Sequence, residues 1–161
     1  MEQKKLIDHL NDLLQLEHDA TRAYELCIQN IKDKQIALKL LDFHSDHQHH
    51  LHKLTQFILQ NDGRPKERPD LKGPFLAGMT AVMSMTSVTN ALRVMLQNET
   101  LTNNAYDAAA EDQFPADILK QIRSFREDEH RHKAWIAKKL DELKGEETAA
   151  TEAGKEERPG R

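Results

Sequence analysis

Large apolar residues recur along this chain at alternating spacings of four and three, and the recurrence marks out four helices. Over residues 3–31 the stripe is Leu6, Leu10, Leu13, Glu17, Ala20, Tyr24, Cys27 and Ile31, the spacing that gathers side chains on one face of a bundle helix. After a short break at Lys32–Lys34, the stripe Ile36, Leu40, Phe43, His47, His50, Leu54 and Phe57 predicts a second helix over about 35–61. So short a link makes these two helices antiparallel neighbours. The tract NDGRPKERPDLKGP then concentrates glycine and proline, which stops the helix and opens a long irregular connection. Helical spacing resumes in FLAGMTAVMSM and strengthens up to residue 110, with Val88, Leu92, Met95, Glu99, Thr102, Tyr106 and Ala109 as its stripe. EDQFP interrupts it, and Pro115 suits the first turn of a new helix. That fourth helix, about 115–143, carries Ile118, Ile122, Phe125, Glu129, His132, Ile136 and Leu140.

Two short links on either side of a long one predict an all-α fold, a four-helix bundle made of two antiparallel helix hairpins joined by a long crossover. The 161 residues suit one domain with its own core, assigned here to residues 1–145. Residues 146–161 lack large apolar side chains and are expected to form a disordered polar tail.

The polar members of the stripes are not scattered. A shift of 82 positions carries Glu17 onto Glu99, Tyr24 onto Tyr106, Phe43 onto Phe125, Asp46 onto Asp128, His47 onto Glu129 and His50 onto His132. Each half thus holds a core-facing glutamate, a tyrosine seven residues later, and an i, i+3 pair on its second helix. An internal repeat of this kind places the same chemistry twice in one bundle. Buried carboxylates without partners cost several kcal/mol each, against a total stability of roughly 5–15 kcal/mol. A bound cation offsets that cost directly, and three carboxylates with three imidazoles suit iron, manganese or zinc. Residues at i and i+3 share a helical face, so Glu17, His47, His50, Glu99, Glu129 and His132 are expected to converge at one level as metal ligands. Asp46 and Asp128 sit off the stripe, where they can orient a histidine of the neighbouring helix. Tyr24 and Tyr106 are expected to pack beside the centre with their hydroxyls satisfied.

Composition narrows the functional classes. The net charge is −4, which offers no electrostatic footprint for nucleic acid. No apolar run reaches the length of a membrane span, and the N-terminus has no apolar signal segment. Cys27 is the sole cysteine, so no intrachain disulfide forms, and a cytoplasmic location is expected. It reads as a small core residue. Five of the nine histidines fall between His44 and His52. Of these, His44, His49 and His52 lie off the stripe, as does His130 further on, and all four are expected at the surface. The methionines Met79, Met83, Met85 and Met95 read as soft core filler or a subunit contact.

With these residues in place the chain resembles the ferritin-like superfamily, most closely its small uncharacterised bacterial members. The superfamily pattern is one Glu from each of two helices and Glu-x-x-His from each of the other two. Glu17 and Glu99 match the single glutamates, and Glu129-His130-Arg131-His132, preceded by Asp128, matches a D-E-x-R-H fourth-helix tract. The resemblance covers residues 3–143 and implies a di-iron or mixed-metal centre for handling oxygen, peroxide or ferrous iron, with ferroxidase- or peroxidase-like activity and a homodimer as consequences. The chain departs from the pattern at His47, where a bridging glutamate would stand. Two functional readings stay open at this point. One is the metalloprotein; the other is a non-catalytic bundle whose degenerate site holds a hydrogen-bonded His/Glu network, acting in stress response or as an interaction scaffold.

Overall fold

A computed structural model of the chain describes residues 1–68 and 87–156. Among the described residues the chain is all-α, with α1 at Gln3–Asn30, α2 at Lys34–Gln60, α3 at Val88–Ala110 and α4 at Ala116–Glu156. Local chemistry explains where they start and stop. Asp33 caps α2, its Oδ1 accepting from the backbone N–H groups of Gln35 and Ile36 at 2.9 and 3.0 Å. Ser87 caps α3 by accepting from Asn90 at 3.2 Å. Pro115 stands immediately before α4, where its carbonyl takes the first helical bond from Leu119. At the end of α2, Asp62 adopts φ 56° and the Gly63 N–H reaches back to the Ile58 carbonyl at 2.8 Å, a Schellman-type stop.

The helices pack α1 on α2 and α3 on α4, with α1 also against α3 and a thinner seam between α2 and α4. The four-helix bundle is therefore a ring of neighbours in the order α1, α2, α4, α3. Each apolar stripe faces its centre. One core cluster, at one end, joins Tyr24, Cys27, Ile36, Leu40, Phe43, Leu92, Met95, Ile136 and Leu140. The other joins Leu6, Leu10, Leu14, Leu54, Ile58, Tyr106, Phe114, Ile118, Ile122 and Phe125. Between the two clusters lies a polar layer.

The clusters fix the topology. α2 ends in the second cluster and α3 begins in the first, so these two helices run in the same direction. The crossover expected there falls mostly on residues 69–86, which lie outside the described residues, as do Met79, Met83 and Met85. Its first stretch runs against α1. The Asn11 side chain donates to the Arg64 carbonyl at 3.1 Å and accepts from the Lys66 N–H at 2.9 Å, and the Gln15 amide donates to the Arg68 carbonyl at 3.2 Å.

Two expectations change. Residues 146–156, expected to belong to a disordered tail, continue α4. Their alanines, glutamates and lysine favour helix once a packed helix precedes them, and Thr89 of α3 donates to Glu147 at 2.7 Å. His44, expected at the surface, is buried, because its flank of α2 lies against α1, with Nε2 3.6 Å from Glu25 Oε1. His49, His52 and His130 are exposed, while Cys27 and Met95 are core. No helix among the described residues is long and apolar enough to cross a membrane.

Candidate metal centre

The polar layer is made by the residues that interrupt the stripes. Glu17 projects from α1, His47 and His50 from α2, Glu99 from α3, and Glu129 and His132 from α4, and none is more than 1% exposed. Their ligand atoms form two overlapping groups, Glu17–His47–His50–Glu129 and His47–Glu99–Glu129–His132. Within each group the atoms lie within 4.8 Å of one another. His47 and Glu129 belong to both. This buried cluster can hold a metal ion.

Contacts around the layer come in crosswise pairs. The Tyr24 hydroxyl of α1 donates to Glu99 of α3, and the Tyr106 hydroxyl of α3 donates to Glu17 of α1. Asp128 of α4 faces His50 Nε2 of α2 at 3.2 Å, and Asp46 of α2 faces His132 Nε2 of α4 at 2.9 Å. Phe125 stacks on His50 with ring centroids 4.1 Å apart, and Phe43 stacks on His132 at 4.3 Å. Each imidazole is thus held by a carboxylate at one nitrogen and by an aromatic face, which fixes its ring plane. Asp46 stands four residues before His50 and Asp128 four before His132, yet each aspartate meets the histidine of the facing helix across the α2–α4 seam.

Two further residues complete the arrangement. Arg131 donates to Asp46 and to Asp128, both at 2.9 Å, so one guanidinium spans the seam and links the two outer carboxylates. Its position inside the Asp-Glu-x-Arg-His tract was visible in sequence, but its partners were not. Asn103, which no sequence feature singled out, is 3% exposed. Its amide donates to the backbone carbonyls of Glu99 and Glu129 at 2.7 and 3.0 Å, tying α3 to α4 at the level of the layer. Its spacing of four residues after Glu99 was all that the sequence offered.

The electrostatics differ between the two groups. Burial alone would raise the Glu17 carboxyl, but the charges and hydrogen bonds of His50 and His47 hold it below the ordinary carboxylate range. Burial likewise opposes charge on His50, yet Glu17, Asp128 and Glu129 push it up to about 11. His47 is also raised, Glu129 and Glu17 outweighing its desolvation. The other half behaves oppositely. Burial, aided by the positive charge of His47, takes His132 down to about 4. Burial and the neighbouring Glu129 lift Glu99 to about 7, against the pull of His47. Both tyrosines are raised, first by burial and then by the carboxylates they serve, so they remain hydrogen-bond donors at neutral pH.

Residues 5–112 match the family described as a domain of unknown function (DUF2383). The matched span includes Glu17, His47, His50 and Glu99 and stops before α4. No curated protein matches the chain at a significant level.

Proposed function

Because the chain belongs to the DUF2383 family, whose description assigns no activity, we propose a function from the centre itself: a ferritin-like metalloprotein that holds transition metal between Glu17, His47, His50, Glu99, Glu129 and His132 and handles oxygen, peroxide or ferrous iron. One observation carries this reading. Several buried ligand atoms that converge on the layer have no hydrogen-bond partner: His47 Nε2, Glu99 Oε2, both oxygens of Glu129, and His132 Nδ1. Native interiors rarely leave such atoms unpaired, and a cation satisfies all of them together.

The donor set of carboxylates and imidazoles suits iron, with manganese or zinc as the next candidates. Bound iron supplies redox chemistry with oxygen or peroxide. The protein's own share is to orient and to exclude water. Asp46 and Asp128 fix the histidine tautomers, Tyr24 and Tyr106 steady one oxygen of each single glutamate, and the two apolar clusters close the layer from both ends. The reading also takes the chain as a cytoplasmic homodimer, by analogy with ferritin-like bundles.

The metal-free alternative, a polar network in a scaffold protein, draws on Glu17, whose carboxylate is fully engaged by His47, His50 and Tyr106. The unpartnered atoms on the Glu99 side weigh against it. Elemental analysis of anaerobically purified protein tests the choice. The expected result is retained transition metal or near-stoichiometric Fe(II) uptake, abolished by Glu129→Gln, with oxygen or peroxide consumed by the iron-loaded protein. A protein that retains no metal and takes up neither Fe(II) nor Mn(II) refutes the proposal.

A further inference from the structure

The two groups share His47 and Glu129, yet their hydrogen bonding is unequal. On one side the polar atoms of Glu17 and His50 are all engaged. Glu17 accepts from His47 Nδ1 at 2.7 Å, from His50 Nδ1 at 3.1 Å and from the Tyr106 hydroxyl. The second nitrogen of His50 is held by Asp128 at 3.2 Å. For a metal to enter there, Glu17 and His50 must first give up bonds they already make.

On the other side the ligand atoms are left over. With Nε2 engaged by Asp46 at 2.9 Å, the neutral His132 ring keeps its lone pair on Nδ1. That atom is unpartnered, its nearest carboxylate oxygen being Glu99 Oε1 at 4.0 Å. His47 donates from Nδ1 to Glu17, so Nε2, without a hydrogen-bond partner and 3.6 Å from Glu99 Oε1, is the nitrogen that can turn to a metal by giving its proton up to it. At that length no hydrogen bond forms. Glu99 keeps Oε2 unpaired and Glu129 both oxygens. All four residues are at most 1% exposed, so water does not serve them from the surface.

We infer that the centre is asymmetric, and that a first metal ion is taken by His47 Nε2, Glu99, Glu129 and His132 Nδ1 before any ion enters the half built on Glu17 and His50. This inference rests on the metalloprotein reading and deepens it. Within it Glu17 changes role. It becomes the outer partner that fixes the tautomer of His47, as Asp46 does for His132 and Tyr24 for Glu99, the arrangement by which outer groups orient metal ligands. The departure at residue 47 is the cause. A histidine there reaches Glu17 with one nitrogen and the other group with its second, whereas a glutamate would leave the Glu17 side in need of a cation as well.

Two measurements on the full chain decide it. In the unaltered protein, imidazole nitrogen NMR is followed during a titration with Zn(II). Substoichiometric zinc is expected to shift His132 Nδ1 and His47 Nε2 while the resonances of His50 stay in place. In parallel, Co(II) binding is followed by its d–d absorption in two variants at matching positions, each checked for fold by circular dichroism. His132→Gln is expected to weaken the first equivalent by more than about 100-fold, beyond what loss of an outer partner produces, and His50→Gln by no more than about threefold. Simultaneous shifts of His50 and His132, or equal losses in the two variants, overturn the asymmetry and leave the metalloprotein reading standing. Absence of any Zn(II) or Co(II) binding overturns that reading, and the inference with it.

Discussion

Residue 47 is the most informative single position, and His47→Glu has effects whose signs depend on metal. In the wild type one imidazole serves three carboxylates: Nδ1 lies 2.7 Å from Glu17 Oε2 and 3.5 Å from Glu129 Oε1, and Nε2 lies 3.6 Å from Glu99 Oε1. Replacing it with glutamate removes that partner and adds a fourth carboxyl to a fully buried layer. Breaking a buried ion pair by removing one member costs about 3–5 kcal/mol, so the variant in chelator is expected to lose that much stability. For a chain of this size, at about 2–4 °C per kcal/mol, the melting temperature falls by roughly 6–20 °C. Metal reverses the order. The added carboxylate offers a further anionic ligand, and an ion held at a thousand times its dissociation constant returns about 4 kcal/mol. The assay is thermal unfolding followed by circular dichroism, with chelator and then with Mn(II) or anaerobic Fe(II), for both proteins. The expected result is a lower melting temperature in chelator and a larger metal-induced rise than wild type shows. A variant as stable as wild type without metal, or one whose metal-induced rise is no larger, refutes the reasoning that His47 stands where a cation-binding carboxylate would.

Glu99 and Gly63 each give a further expected outcome. The Glu99 carboxyl, lifted by burial from 4.5 to about 7, holds its proton more tightly folded than unfolded, so its contribution to stability is complete below about pH 4.5 and is lost as pH rises through 7. Over that window the loss is at most about 3 kcal/mol. Glu99→Gln in chelator is therefore expected to be more favourable, relative to wild type, at about pH 8 than at about pH 5, and denaturant titrations showing a pH-independent difference would contradict this. The comparison is made against wild type because His132, held at about 4, loses stability as pH falls and so opposes Glu99 in the absolute slope. At the end of α2, Gly63→Ala places a Cβ 2.8 Å from Ile58 Cγ2 and 2.9 Å from Ile7 Cγ2. An overpacking cost of roughly 1–3 kcal/mol is expected in equilibrium unfolding, and an unchanged midpoint would show that the turn yields freely.

The four helices were legible because burial writes itself into spacing. Every stripe residue of α1 and α4 is buried, and on α2 only Phe57 is replaced in the core by its neighbour Ile58. The candidate ligands stood out for the same reason, as charged residues at positions whose neighbours in the stripe are Leu, Ile and Phe. What spacing does not carry is the choice of hydrogen-bond partner. Arg131 and Asn103 lie on flanks that a stripe does not mark, and their partners come from other helices. His44 was misplaced because a flank position is wet or dry according to the neighbouring helix, which the repeat of apolar residues on α2 does not specify. Residues 146–156 carry composition typical of a solvated segment, yet a helix already anchored by packing extends through such residues at little cost, since nucleation has been met upstream.

The largest gap between sequence and structure lies inside the layer itself. Read as a repeat, the chain offers two equal halves, and five of six shifted pairs, from Glu17–Glu99 to His50–His132, conserve residue type or its role. The sixth pair exchanges an acceptor, Glu129, for a group that both donates and accepts, His47. In an apolar surrounding that exchange is not local. A proton placed on Nδ1 saturates Glu17, directs Nε2 toward Glu99, and leaves Glu129 as the carboxylate that neither half has satisfied. The crosswise aspartates and tyrosines, still matched in both halves, then support different tasks: on the Glu17 side they complete a closed hydrogen-bond set, and on the Glu99 side they hold ligand atoms in place around a common point. One substitution in a symmetric frame is thus enough to make the hydrogen bonding of the two halves unequal.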